Sequence, residues 1–268
     1  MLKIGIIGCG AIGSYIAKEI EKTFSKKARV CALCDIDKNQ AIRLSKSLKT
    51  KPLVCSQDTV FKKSDLVVEA SSSKFSASIA KNAITSGCDV LIMSVGGLLS
   101  NTDLFKLAEK KNRRIYVPSG AICGIDGVKA SNIKKIKKAI LTTTKPIEGL
   151  KGAPYVVKQK INLDKINGSK VIFTGNALRA AKAFPQNINV AATLALAGIG
   201  SKKTQVKIIA SSKIKRNIHK IELETESGKI ITETQNIPSP DNPKTSYLAM
   251  LSAVATLKEI FNPIKIGT

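Results

Sequence analysis

Three glycines and one acid mark the chemistry at the N-terminal end of the chain. Gly8-Cys9-Gly10-Ala11-Ile12-Gly13 spells G-x-G-x-x-G directly after Lys3 to Ile7, a β-branched run too short for a helix. The pattern predicts strand, tight turn, helix. Gly8 makes the turn, Gly10 lets the backbone approach a pyrophosphate with no Cβ in the way, and Gly13 lets the helix pack close to the strand. Ala11 and Ile12 open the helix, whose unpaired N–H groups and positive dipole end favour an anion. Arg29 to Cys34 reads as a second strand delivering Asp35, about 20 residues beyond the glycines, where a carboxylate accepts a hydrogen bond from a ribose 2′-hydroxyl. The bland alternative is a turn that merely closes a βαβ unit; the strand–turn–helix context together with Asp35 favours a dinucleotide site. Asp35 argues for NAD, because a carboxylate repels a 2′-phosphate, but Lys38 and Arg43 are near enough to blunt the preference. NAD and NADP both remain open.

The single histidine, His219, is the other candidate. Alternation places His219, Ile221 and Leu223 on one face of a strand and Lys220, Glu222 and Glu224 on the other, so the imidazole lies on the covered face. One reading is a hydrogen-bonded core histidine. The other is a proton-handling group facing an interdomain cleft, since no other side chain here has an unperturbed pKa near neutrality. The six cysteines, Cys9, Cys31, Cys34, Cys55, Cys88 and Cys123, read as reduced core thiols rather than a disulfide framework. Cys31 and Cys34 form C-x-x-C, but on a strand they point to opposite faces and no second pair completes four ligands, which argues against zinc.

The elements that must position these groups follow an ordered alternation over 268 residues. Ile12, Ile16, Ile20 and Phe24 give the first helix one apolar stripe. After Asp35 come a helix (39–48), strands near 53–55 and at 65–70, a helix (75–86) ended by Gly87, a strand (89–93), a helix (102–111) and a strand (114–117). Such alternation implies a doubly wound parallel sheet of Rossmann type, with the loops at Ser71, Ser94 and Ser119 lining the cofactor cleft. From Pro118-Ser119-Gly120-Ala121-Ile122-Cys123-Gly124 on, the pattern changes. A helix (125–131), strands at 139–144 and 170–173, a helix (177–183), an apolar helix (190–197) capped by Asn187 or Asn189, and strands at 204–210, 218–225 and 229–233 predict an α+β substrate and dimerisation domain. The division expected is 1–122 and 123–243, with the last helix, 244–261, packing back on the first domain.

A net charge of +25, from 44 Lys and Arg against 19 Asp and Glu, raises nucleic acid or an anionic small molecule as a partner. Aromatics are 4% of residues, Trp is absent and no nucleic-acid-binding motif accompanies the charge, so a solvated lysine-rich surface is favoured and no nucleic acid is expected. No apolar run spans a bilayer and no signal peptide is evident, which predicts a cytoplasmic protein without a membrane partner.

Ser119-Gly120-Ala121-Ile122-Cys123-Gly124, Thr144-Lys145-Pro146, Phe184-Pro185-Gln186-Asn187-Ile188-Asn189-Val190-Ala191-Ala192, Asn217-Ile218-His219 and Asn242-Pro243-Lys244-Thr245-Ser246, in this order after the glycine turn, resemble the L-aspartate dehydrogenases. The resemblance implies oxidation of L-aspartate by NAD or NADP to iminoaspartate, which hydrolyses to oxaloacetate and ammonia or supplies quinolinate and NAD synthesis, with a hand-off to quinolinate synthase. It also implies a homodimer, His219 as the catalytic residue, Ala121 as a cofactor contact, and Asn189 and Asn187 as contacts near the nicotinamide. The sequence departs from the family pattern at Ser71-Ser72-Ser73-Lys74, where a proline is more usual, and at Gly96-Gly97, where Gly-Ala is commoner. Homoserine dehydrogenase-like and dihydrodipicolinate reductase-like activities share the two-domain plan, and a nucleotide-sensing nucleic-acid-binding regulator is the alternative from another class. The Asn-rich helix start and His219 fit L-aspartate dehydrogenase better.

Overall fold

The computed structural model describes residues 1–185, 188–239 and 245–267. In chain order the strands are β1 (Leu2–Ile7), β2 (Ala28–Cys34), β3 (Leu53–Val54), β4 (Leu66–Glu69), β5 (Asp89–Ile92), β6 (Ile115–Tyr116), β7 (Ile136–Pro146), β8 (Ser169–Asn176), β9 (Gln205–Ser211), β10 (Asn217–Thr225) and β11 (Gly228–Asn236). The helices are α1 (Ala11–Thr23), α2 (Lys38–Ser47), α3 (Gln57–Lys63), α4 (Ser76–Thr85), α5 (Asp103–Lys110), α6 (Ile125–Ser131), α7 (Pro154–Lys158), α8 (Ala177–Ala183), α9 (Asn189–Ala197) and α10 (Tyr247–Phe261). Contacts divide the chain into two units, Met1–Pro118 with Met250–Ile264, and Ser119–Ala249 with the residues from Lys265 on.

The first unit is a parallel sheet in the order β3-β2-β1-β4-β5-β6, the doubly wound arrangement of dinucleotide-binding folds. Its strands are near-continuous apolar runs because both faces are covered: Ile4, Ile6, Val67, Val68, Val90 and Leu91 are all buried. The stripe on α1 docks as its spacing requires, with Ile16 and Ile20 fully buried and Phe24 nearly so. Ala253 and Leu257 of α10 enter the same core, and Phe261 stacks on Phe24 with ring centroids 5.2 Å apart. Two short helices escape the sequence pattern. α3 offers only Val60 and Phe61 to the core, and α7 begins at a proline in a stretch otherwise rich in turn residues.

The second unit is a mixed sheet in the order β11-β10-β7-β9-β8. β10 pairs antiparallel with both β11 and β7, β7 runs parallel to β9, and β8 closes the edge antiparallel to β9. Alternation along β7 buries Ala139, Leu141, Thr143 and Lys145 and leaves the residues between them less covered. β10 does the same with Asn217, His219, Ile221 and Leu223. Away from this face, Tyr155, Phe173 and Phe184 form a three-ring cluster with centroids 5.3 to 5.5 Å apart. α9 is buried over Val190–Ala195, as an apolar helix must be. Residues 119–122, assigned from sequence to the first domain, fall in the second unit, where Thr234 Oγ1 and Asn236 Nδ2 both donate to the Ala121 carbonyl.

Candidate functional site

The glycine turn has the geometry its spacing demands. Gly8 has φ of +98°, and a Cβ there would collide with the Ala70 backbone. At Gly13 a Cβ would overlap the Gly8 carbonyl, so this glycine sets the approach of α1 to the turn. Gly10 differs: a Cβ would meet nothing closer than Gln40 Oε1 at 3.9 Å. The protein leaves the space over Gly10 open, beside the N-terminus of α1 that Ala11 and Ile12 begin. Asp35 closes the cradle from the end of β2. Its Oδ2 accepts from Cys9 N at 2.6 Å and its Oδ1 from Asp37 N at 2.8 Å. Each carboxylate oxygen retains a lone pair for a further donor. Asp37 in turn caps α2 through Asn39 N at 3.0 Å and lies 3.7 Å from Arg43 Nη2. Cys9, inside the turn, stays a neutral thiol: burial, reinforced by the nearby Asp35 and Cys34, pushes it up to about 12.

A group the sequence reading passed over stands at the end of β4. Glu69 is fully buried, and its carboxylate binds two loops at once. Oε1 accepts from Ser71 N at 2.8 Å and Ser71 Oγ at 2.7 Å, while Oε2 accepts from Ser94 N at 3.0 Å. Burial raises its pKa and these donors oppose the rise. Ser71 thus has both its donors turned to Glu69. The two departures from the family pattern meet nearby, since a Cβ on Gly97 would overlap the Ser73 carbonyl and the Ser76 hydroxyl.

In the second unit a polar cluster interrupts the covered face of the sheet. His219 is 4% exposed, and its cross-strand neighbours are Thr143 on β7 and Thr234 on β11. Its Nδ1 shares a hydrogen bond of 3.0 Å with Thr143 Oγ1. Lys145, two residues along β7, and Asn217, two residues back along β10, extend the cluster on the same face. Asn217 Nδ2 lies 3.4 Å from Ser246 Oγ. The surroundings of the imidazole move it away from the near-neutral titration expected from the sequence. Burial, with the charge of Lys145 adding, lowers His219 to about 3, so the ring is neutral throughout the working range. The group brought toward neutrality is Lys145, which burial lowers to about 8. Asn189, a helix-cap candidate by sequence, is the first residue of α9, and Ile188 takes the cap position without a side-chain cap bond. Asn187 lies outside the described residues.

No helix among the described residues is long and apolar enough to cross a membrane. Residues 8–118 match the homoserine dehydrogenase NAD-binding domain family, and residues 126–260 match the aspartate dehydrogenase C-terminal family. The chain is 48% identical to the L-aspartate dehydrogenases of Methanosarcina mazei and Methanosarcina acetivorans, each alignment covering 100% of both chains. Its fold is similar to the crystal structure of aspartate dehydrogenase from Thermotoga maritima, with a TM-score of 0.75 and 24% identity over 100% of both chains. A dinucleotide cradle in one unit, a buried histidine cluster in the other, and end-to-end likeness to these enzymes lead to one assignment: the chain belongs to the NAD(P)-dependent L-aspartate dehydrogenase family.

Proposed function

We propose that this protein oxidises L-aspartate with NAD or NADP to iminoaspartate, which hydrolyses to oxaloacetate and ammonia or passes to quinolinate synthase for NAD biosynthesis. The observation that carries the reading is the 48% identity to an L-aspartate dehydrogenase over its whole length. A homodimeric, cytoplasmic enzyme belongs to the same reading.

In this reading Gly8, Gly10, Ala11, Ile12 and Gly13 hold the pyrophosphate, Asp35 takes the adenosine ribose, and Ser71, Ala121, Asn187 and Asn189 contact the remainder of the cofactor. A bound nicotinamide would supply the acceptor for the hydride that leaves the substrate Cα. The chain's own residues manage the proton. The ammonium of L-aspartate must lose a proton before Cα can release hydride, and His219 is the base. With Nδ1–H donating to Thr143, the imidazole keeps its lone pair on Nε2. Burial and the charge of Lys145 lower the proton affinity of the ring. The two carboxylates of L-aspartate oppose the second influence, so His219 becomes a stronger base with substrate in place.

Reduced-nicotinamide absorbance with L-aspartate plus NAD or NADP, and with oxaloacetate plus ammonia in reverse, tests the proposal. Turnover of L-aspartate and none of L-homoserine is expected. Oxidation of L-homoserine instead would replace this reading with the homoserine dehydrogenase-like one.

A further inference from the structure

Among the described residues Lys145 is the only lysine or arginine that is buried, in a chain with 44 of them. Its place follows from the strand. Alternation along β7 points Ala139, Leu141, Thr143 and Lys145 to the covered side, a face that elsewhere takes apolar residues. Lys137 and Lys138, on the same strand, are exposed. An ammonium in this position is costly, because burial penalises the charged form. Burial indeed draws its proton affinity down to about 8. A well-packed apolar residue of similar volume would stabilise the sheet better, so the charge has to be explained by what it does.

Its neighbourhood indicates what that is. Lys145 is close enough to His219 for its charge to depress the imidazole, and Thr143, the partner of His219, is two residues away on the same strand face. On the same covered face lie the neutral, hydrogen-bonding side chains of Thr143 and Asn217. Beside the lysine stem is Gly149, where a Cβ would come within 4.0 Å of Lys145 Cδ. Gly149 also borders a cavity of about 130 Å³ with Lys151, Ala153 and Pro185.

We propose that Lys145 binds one of the two substrate carboxylates and so holds the amino acid beside His219. The inference rests on the L-aspartate reading above and gives it a specificity residue. At an effective dielectric near 20 the attraction between opposite charges is about fourfold that in water, so a buried ammonium discriminates an anion from its neutral amide more sharply than any exposed lysine here. The carboxylate would also cancel the charge that holds down the proton affinity of His219, coupling recognition to the readiness of the base.

The test compares kcat/KM for L-aspartate, its β-amide L-asparagine and its α-amide in the wild type, Lys145→Met and Lys145→Arg. In the wild type L-aspartate should exceed both amides. In Lys145→Met, kcat/KM for L-aspartate should fall by roughly 10²-fold, the preference over one of the amides should collapse, and Lys145→Arg should keep part of it. The amide whose disadvantage disappears identifies the carboxylate that Lys145 holds. NAD affinity should not change, and Lys145→Met should melt no lower than the wild type. An equal fall for all three substrates, with early melting, would show a merely structural lysine and overturn the proposal, as would unchanged discrimination. A wild type inert toward L-aspartate would fail at the earlier step, the reaction itself, and the proposal would fall with it.

Discussion

The Nδ1 atom of His219 and the hydroxyl of Thr143 lie 3.0 Å apart on adjacent antiparallel strands, in direct cross-strand register and with both side chains buried. This bond sets the ring orientation, and in the tautomer whose Nδ1–H donates to Thr143 the lone pair is left on Nε2. Thr143→Val keeps the shape and removes the acceptor, so kcat should fall by about tenfold, less than for loss of the ring itself. His219→Ala should lower kcat by roughly 10²- to 10⁴-fold, the usual range for general acid–base catalysis, with NAD affinity unchanged. Kinetics and melting curves on the same preparations distinguish this from a core role. A His219→Ala enzyme that melts early yet turns over at the wild-type rate would leave the histidine a packing residue.

The depressed proton affinity of His219 has a consequence for stability. The unfolded chain binds the imidazole proton below about 6.5, the folded protein only below about 3, so between these values the unfolded state holds more protons. The contribution is complete above pH 6.5 and is lost as the pH falls toward 3, with a range on the order of 5 kcal/mol. Urea unfolding of the wild type and His219→Gln between pH 7 and pH 3 checks it. The stability difference should shift toward the variant as the pH falls, and parallel curves would mean that the ring titrates alike in both states.

Glu69 should be felt in the cofactor loops. Glu69→Ala removes the shared acceptor of Ser71 N and Ser94 N and opens a cavity, so stability should drop by about 2 to 4 kcal/mol. Glu69→Gln keeps the volume and one acceptor and should lose less. Because Ser71 loses its anchor, the dissociation constant for NAD should also rise in calorimetry. A loss of stability with unchanged NAD affinity would confine Glu69 to the fold.

The first sheet was legible because its central strands β1, β4 and β5 are short apolar runs with Val or Ile, and α1 carries one apolar stripe. α3 and α7 were not, having too few turns for a period to show. The face that His219 occupies could be read from alternation along β10, but its proton affinity could not, since that depends first on how completely the folded chain buries the ring and then on Lys145 of the neighbouring strand. The same alternation along β7 placed Lys145 on the covered face, a signal present in the sequence and not used for chemistry. Glu69 had a weaker signal, an acid ending the otherwise apolar strand β4.

Gly10 and Gly13 should respond oppositely to the same change. A Cβ at Gly10 has open space in the protein, so Gly10→Val should fold and melt near the wild type while NAD binding collapses. Gly13→Ala forces its Cβ onto the Gly8 carbonyl and should lower the melting temperature instead. Calorimetric titration with NAD, beside thermal melts, checks both. Normal NAD binding by Gly10→Val would remove the pyrophosphate from this turn.

Asp35 holds two backbone amides, and cofactor choice tests whether it also binds the ribose. Its oxygens already hold Cys9 N and Asp37 N, so Asp35→Ser loosens the turn whichever cofactor binds. If the carboxylate also accepts the ribose 2′-hydroxyl, NAD loses that bond in addition, whereas NADP loses a repulsive neighbour of its 2′-phosphate. Arg43 is positioned to gain from the change. Its pair with Asp37 is 3.7 Å long between side chains 69% and 44% exposed, and such surface pairs are worth at most about 1 kcal/mol, so the guanidinium is easily recruited by a phosphate. Asp35→Ser should therefore raise the KM for NAD by more than tenfold and that for NADP by less. Adding Arg43→Ala should raise the KM for NADP further and leave that for NAD where the single variant has it. An equal rise for both cofactors in the single variant would show that Asp35 only anchors Cys9 and Asp37, and that the preference between NAD and NADP is set elsewhere.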